Sequence, residues 1–348
     1  MTARSIALSL LEKAEKPKQY SNIALDRALV SSTLSAEDRA LCAALFYGVI
    51  EKRLFLDHRL SDLSDRPLAS LDTTVLSALR LGLYQLIFLD RIPPHAAIFE
   101  TVALCPRKSA GFVNAILREH TRRPNTPLPD KDTDPVGYLS VRFSIGRPLV
   151  ERLISVFGYE RTESLAKGFD RHGATTIRVN TTKISRDDLS LRLGAEKTEI
   201  SPTGLYIRGS LRDTDGFEDG LFFVQDEASQ ICVEALGASP DEVVLDICAC
   251  PGSKTFGTAI RMENRGEVHA FDLHESKLSL ILSGAERLGL SIIDAQKNDG
   301  RNFLAAFEEK ADRVLCDVPC SGFGVLAKKP EIRYKDPSES AADRKSVV

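Results

Sequence analysis

At 348 residues, with hydrophobic side chains making up 43%, the chain has room for two or three domains with substantial cores. Its net charge of -3 does not mark it as a nucleic-acid binder overall, but the charge is uneven: residues 1–123 carry +4 and the remainder -7. A basic front part fits a phosphate-rich partner or ordinary solvated helix faces. There is no apolar signal core at the N-terminus and no run of the roughly 18 apolar residues a membrane helix needs, so no membrane association is expected. Seven scattered cysteines without a small-domain spacing fit a reducing compartment, the cytoplasm.

Residues 3–121 read as helices throughout. Ile6, Leu8, Leu10 and Leu11 open the first. Ser35, with an acid three residues on at Asp38, has the pattern of a capped helix start, and Leu41, Leu45 and Val49 mark an apolar face. Leu68 to Leu89 continues with Leu76, Leu79, Leu83 and Leu86 at helical spacing until Pro93-Pro94 breaks it. His95 to Leu104 and Ser109 to His120 complete a bundle. Arg118, Arg122 and Arg123 end its last helix, where they serve either RNA or the helix C-terminus. The Pro- and Asp-rich residues 124–137 read as a linker.

Residues 138–225 alternate: helices over 147–157, 161–169 and 186–193, and strands over 175–180, 204–208 and 221–224. Gln225-Asp226 leads into a further helix, with pocket-lining and cap-and-turn roles both open. From residue 226 the pattern becomes that of a doubly wound sheet. Val243–Leu245 is a buried strand ending at Asp246, followed by a small-residue loop and a helix from Lys254 to Ile260. The loop has neither the three spaced glycines of a dinucleotide site nor the upstream glycine of a P-loop, which disfavours a pyrophosphate ligand. Glu267 to Asp272 is a second strand ending in a carboxylate, suited to a pair of ribose hydroxyls. A third segment ends at Asp299, and a fourth strand, Arg313 to Val318, carries Asp317 into a Pro-Cys-Ser-Gly loop with Cys320. Ligands of such sheets gather at this edge. Cys248, Cys250, Cys316 and Cys320 lack the paired spacing of a zinc site, so no metal is expected; Cys42, Cys105 and Cys232 read as packing residues.

Two of these loops carry a resemblance. Asp246-Ile-Cys-Ala-Cys-Pro-Gly-Ser-Lys-Thr255 resembles the S-adenosylmethionine loop of the RNA 5-methylcytosine methyltransferases, and Asp317-Val-Pro-Cys-Ser-Gly-Phe-Gly324 resembles their active-site loop. Within that group the chain is similar, over nearly its whole length, to the RsmB/Sun family of ribosomal RNA small-subunit methyltransferases. The segments 79–86, 92–97 and 111–118 resemble the NusB-like RNA-binding domain that opens those proteins, and Arg178-Val-Asn180 matches a signature of their second module.

The resemblance implies a multidomain architecture: an all-α NusB-like bundle (1–123), a linker (124–137), a small α/β RNA-recognition-like module (138–225) and an α/β Rossmann-like methyltransferase domain (226–348), incomplete after its fourth strand. It implies S-adenosylmethionine as cofactor, small-subunit ribosomal RNA as partner and a monomer. Cys248, Ala249, Cys250, Pro251, Gly252, Ser253 and Lys254 would surround the carrier's amino-acid end. Asp272 would take its ribose and Asp299 its adenine amino group, with Asp317 beside them. Cys250 and Ser253 stand where the family usually has Ala and Gly, and Ser253 is expected to crowd the ligand. Arg178 would touch RNA, or else face solvent on its strand.

Carbon 5 of cytosine is a poor nucleophile, so a thiolate must first add to carbon 6. By the resemblance Asp317 handles ring nitrogen 3, Cys320 helps release product, and the attacking thiol comes from a later Thr-Cys motif. Residues 1–348 contain no Thr-Cys pair. The expectation is therefore a truncated or frame-shifted product in which the fourth strand is left as an edge, either an incompetent methyltransferase or an RNA-binding remnant.

Overall fold

A computed structural model describes residues 2–14, 21–169, 174–209, 211 and 213–338, with side chains left undescribed for 21–23. Residues 339–348, on which part of the truncation reading rests, lie outside the described residues. The described residues form two compact units, 2–169 with 321–338 and 174–320.

The first unit is helical: α1 (Ala3–Ala14), α2 (Ser21–Val30), α3 (Ala36–Glu51), α4 (Arg53–Leu63), α5 (Thr73–Phe88), α6 (Pro94–Ala103), α7 (Arg107–Arg122), α8 (Pro135–Phe143), α9 (Arg147–Phe157) and α10 (Tyr159–Phe169). The expected cap is present, since Ser35 accepts a hydrogen bond from the Asp38 N–H. The helix expected from Leu68 begins only at Thr73, because Asp72 caps it and Leu71 is extended. Leu45, Val49, Leu79, Leu83 and Leu117 are buried in one core. Gly82 lets α5 and α7 approach: a Cβ there would lie 2.6 Å from a Leu117 methyl. Buried Gln85 accepts from Arg4 Nε (2.7 Å) and donates to the Thr101 hydroxyl (3.1 Å), joining α1, α5 and α6.

The linker reading of 124–137 does not coincide with the boundary between compact units. The α8–α10 cluster around Leu139, Phe143, Leu149 and Val150 packs with Leu326 and Ile332 of the returning segment. That segment is held by Arg333, fully buried, which donates to the carbonyls of Leu326 (3.1 Å) and Phe169 (2.7 Å). Beside it the Tyr334 hydroxyl donates to the Ile50 carbonyl, and the Arg53 guanidinium lies 3.9 Å above the Tyr334 ring.

The second unit holds two four-stranded sheets. The first is antiparallel, order β2-β3-β1-β4, from β1 (Thr175–Val179), β2 (Glu196–Lys197), β3 (Gly204–Ile207) and β4 (Phe222–Val224), with α11 (Arg186–Leu193) between β1 and β2. Asn180, fully buried, donates to the carbonyls of Gly220 (3.0 Å) and Leu288 (2.9 Å) and so fixes this module to the next. After α12 (Glu227–Leu236) come β5 (Val243–Asp246), α13 (Ser253–Arg261), β6 (Glu267–Asp272), α14 (Glu275–Leu288), β7 (Ile293–Lys297) and β8 (Arg313–Leu315). Their sheet is parallel, order β7-β6-β5-β8. The chain leaves β5 toward β6 and β7 and returns to its other side with β8, so β5 is the topological switch point where such sheets bind ligands. β8, shorter than the expected Arg313–Val318, is an edge strand of the described sheet, with Val314 half exposed.

One charge in the helical core gives a pH test. His120 is buried and accepts from Arg59 Nε at 3.0 Å. Burial, reinforced by the Arg59 charge, pushes its pKa down from 6.5 to about 4. As pH falls from 6.5 the unfolded chain takes up a proton that the folded chain refuses, so stability falls, by about 2 kcal/mol at pH 4.5. His120→Gln, which can still accept from Arg59, is expected to show a correspondingly smaller loss between these pH values in urea unfolding followed by circular dichroism. Equal losses in both proteins would show that His120 does not carry this dependence.

Candidate active site

β5 delivers Asp246, 2% exposed, to the head of the loop. Its Oδ2 accepts from the Thr255 hydroxyl at 2.7 Å, while the buried Oδ1 has no hydrogen-bond partner among the described residues. Burial raises its pKa to about 6 and the Asp317 charge adds to the rise, against the opposing Thr255 hydroxyl and Cys248 N–H. The turn into α13 is made by Gly252, at φ +106°, where a Cβ would meet the Phe256 ring at 2.6 Å. Ser253 begins α13 without a positive φ. The position therefore does not require glycine on backbone grounds, and the departure introduces no strain there. The Ser253 carbonyl accepts from Gln225 Nε2 (3.0 Å), which makes buried Gln225 a brace for the helix start; Asp226 sits at the N-cap of α12.

Ala249 is buried and donates its N–H to the Phe271 carbonyl (2.8 Å), while Pro251 is exposed at the loop. Burial raises the Cys248 pKa, and burial with the neighbouring Asp272 pushes Cys250 to about 11, so both stay protonated thiols near neutral pH. Cys316 and Cys320 are exposed. Lys254, expected at a carrier's amino-acid end, has a partner across the sheet. Because β5 and β8 pair in parallel, with Asp246 opposite Leu315, the start of α13 and the end of β8 lie together, and Lys254 Nζ reaches Asp317 Oδ2 at 2.5 Å.

At the end of β6, Asp272 accepts from the N–H groups of His274 (3.0 Å) and Cys250 (3.2 Å). Leu273 beside it is 52% exposed. Beyond β7, both oxygens of Asp299 are engaged by Arg301. The hydrogen bonds from Arg301 hold the Asp299 pKa down at about 2. The structure thus brings Asp246, Lys254, Asp272, Asp299, Asp317 and Cys320 to the strand-end side of one sheet. Sequence reasoning missed Thr255, Leu273 and Arg301. The signal for Thr255 was a hydroxyl in the loop motif itself, and for Arg301 a cation two residues after an acid. No three metal-ligating side chains cluster among the described residues.

The residues expected to touch RNA divide. Arg118 and Arg122 are exposed and have local partners, Asn114 (3.1 Å) and Glu119 (3.5 Å). Arg123 is also exposed but tied across to Asp62 at 3.0 Å. Arg178 is a correction. Strand alternation puts Ile177 and Val179 on one face and Arg178 on the other, but that face is covered by α12 and α13. Arg178 is 1% exposed and pairs with Glu234 at 2.8 Å, so it neither faces solvent nor presents its charge to RNA.

Family models match the chain in the order of these parts: the NusB family over residues 1–122, the ferredoxin-like domain of RsmF/B-like methyltransferases over 147–210, and 16S rRNA methyltransferase RsmB/F over 233–345. The chain is 37% identical to the probable ribosomal RNA small subunit methyltransferase B of Bacillus subtilis, an alignment covering 98% of this chain and 78% of that protein. It is 32% identical to ribosomal RNA small subunit methyltransferase B of Shigella flexneri, covering 95% of this chain and 77% of that one. The crystal structure of PH0851 superposes with a TM-score of 0.75 at 23% identity, covering 99% of this chain and 81% of that one, which shows a shared fold. Similarity of this extent places the chain in the ribosomal RNA small subunit methyltransferase B family, of the RsmB/F type.

Proposed function

We propose that the protein uses S-adenosylmethionine to methylate carbon 5 of a cytosine in small-subunit ribosomal RNA. One observation carries this reading: acids at or just beyond the ends of β7, β6, β5 and β8, namely Asp299, Asp272, Asp246 and Asp317, follow one another in spatial strand order around the switch point. When bound, the carrier supplies an activated methyl group on a sulfonium. The residues present fit it. Asp272 keeps acceptor capacity beyond its two backbone bonds for the ribose hydroxyls. Exposed Leu273 offers an apolar surface to the adenine and Asp299 an acceptor to its amino group. The turn over 248–254, whose Gly252 leaves no room for a side chain, and the unpartnered Asp246 Oδ1 suit the charged amino-acid end.

On the base side, the Lys254–Asp317 pair lies beside the Pro-Cys loop, where it would serve ring nitrogen 3 as carbon 6 accepts a thiolate. Carbon 5 would then take the carrier's methyl group, leaving a neutral thioether; transfer of the carbon 5 proton to a base, departure of the thiolate from carbon 6 and return of the ring-nitrogen proton to the Lys254–Asp317 pair would then restore the aromatic ring. By the family resemblance that thiolate comes from a Thr-Cys motif, a pair that residues 1–348 do not contain, so these residues supply the binding and proton-handling groups and not the attacking thiol. Cys320 assists the elimination, while protonated Cys248 and Cys250 are unsuited to attack. We place RNA on the helical unit, with Arg118 and Arg122 on phosphates.

Calorimetry of S-adenosylmethionine with the purified chain is expected to give saturable binding that Asp272→Ala weakens at least ten-fold. RNA binding without any carrier binding would leave a non-catalytic RNA-binding protein as the better description. For the RNA face, Arg118→Ala with Arg122→Ala is expected to weaken small-subunit ribosomal RNA binding several-fold and to lower the slope of log affinity against log salt by about 1–2. Arg123→Ala, already engaged with Asp62, should change that slope less. An unaltered slope in the double variant would remove this face from the interface.

A further inference from the structure

The Asp299–Arg301 pair is more elaborate than fold stability requires. Arg301 is 66% exposed on its side chain, and exposed ion pairs add little to stability. Yet Arg301 approaches Asp299 with a full fork as well as its backbone. Its N–H (3.1 Å) and Nε (2.9 Å) donate to Oδ1, its Nη2 (2.5 Å) donates to Oδ2, and Nε also lies 3.2 Å from Oδ2. A carboxylate offers about four acceptor sites. Oδ1 is filled by two donors, Oδ2 receives Nη2, and about one site on Oδ2 is left. The planar fork also fixes the rotation of the carboxylate, so that this last acceptor points in one direction.

We propose that Arg301 is a positioning residue that leaves Asp299 with a single oriented acceptor for one N–H donor, and thereby makes the pocket select a carrier with an exocyclic amino group on its purine. The inference rests on the reading of Asp299 as the adenine acceptor. It adds that selectivity is set through Arg301, which need not touch the carrier. The low pKa of Asp299 agrees with it, since the carboxylate remains a pure acceptor throughout the neutral and mildly acidic range. Lysine would keep the charge but lose the fork.

The test measures calorimetric affinities of the full chain for S-adenosylhomocysteine and S-inosylhomocysteine, which differ at the amino group. The wild type is expected to prefer the adenosyl compound at least ten-fold. Arg301→Ala should cut that preference about ten-fold while leaving inosyl binding within two-fold, and Arg301→Lys should fall between. Retained inosyl binding certifies the variant's pocket; Asp272→Ala should instead weaken both compounds together. Unchanged preference in Arg301→Ala, or equal loss of both compounds, would overturn the role of Arg301 while leaving the carrier reading in place. A wild type that binds both compounds equally would overturn the reading of Asp299. A wild type that binds neither would overturn the carrier reading, and the role of Arg301 with it.

Discussion

A parallel sheet that ends neighbouring strands or their following turns in carboxylates must manage their repulsion, and here each acid is managed differently. Asp246 is buried and driven toward protonation, with a Thr255 bond opposing. Asp272 is compensated by two backbone N–H groups, Asp299 by a guanidinium fork, and Asp317 by the Lys254 ammonium. Asp317 adds to the rise at Asp246, but less than burial does, so what sets the four acids apart is chiefly the environment of each. Their different partners separate them chemically: an acceptor with spare capacity, an acceptor with about one site left, an acid in an ion pair, and a buried acid whose midpoint lies at about 6.

The same division explains what was legible in the sequence. Asp246 was visible because it ends an apolar run, as strands of a buried parallel sheet do, whereas Asp299 follows the polar and largely exposed β7. The expected spans of α9, α11 and β6 coincide with those observed. The compensating partners were less visible. The loop motif sets Lys254 among the carrier-loop residues, but nothing in it shows that the pairing of β5 with β8 brings Asp317 within reach. That contact spans 63 residues of chain, and only strand order brings it about.

Arg178 shows the same limit from the other side. Period-two alternation correctly separates Arg178 from Ile177 and Val179, yet alternation says only that two faces differ. Whether the second face meets water depends on later elements, here α12, whose Glu234 receives the guanidinium. Burial leaves Nε and Nη1 of Arg178 without hydrogen-bond partners among the described residues, an arrangement no propensity rule would suggest. Arg333 is likewise a buried charge, satisfied by the carbonyls of Leu326 and Phe169. It anchors a segment that follows the Pro-Cys loop in the chain and joins the helical unit, although sequence order alone would assign it to the methyltransferase domain.

Asp246 carries the strongest internal sign that this edge was shaped by something other than stability. A carboxyl raised from 3.8 to about 6 favours the folded state below its unfolded pKa, and that relative advantage is lost as pH rises through 6. At neutral pH, keeping it ionised and buried costs roughly 3 kcal/mol against an acid in water. A serine or asparagine could accept from Thr255 at the end of β5 with no charge to bury. An acid at that position, with one buried oxygen unpartnered, makes physical sense where a cationic group completes the site. On the proposed reading the cost at Asp246 and the exposed fork at Arg301 share one explanation, that both side chains are arranged for the carrier rather than for the fold.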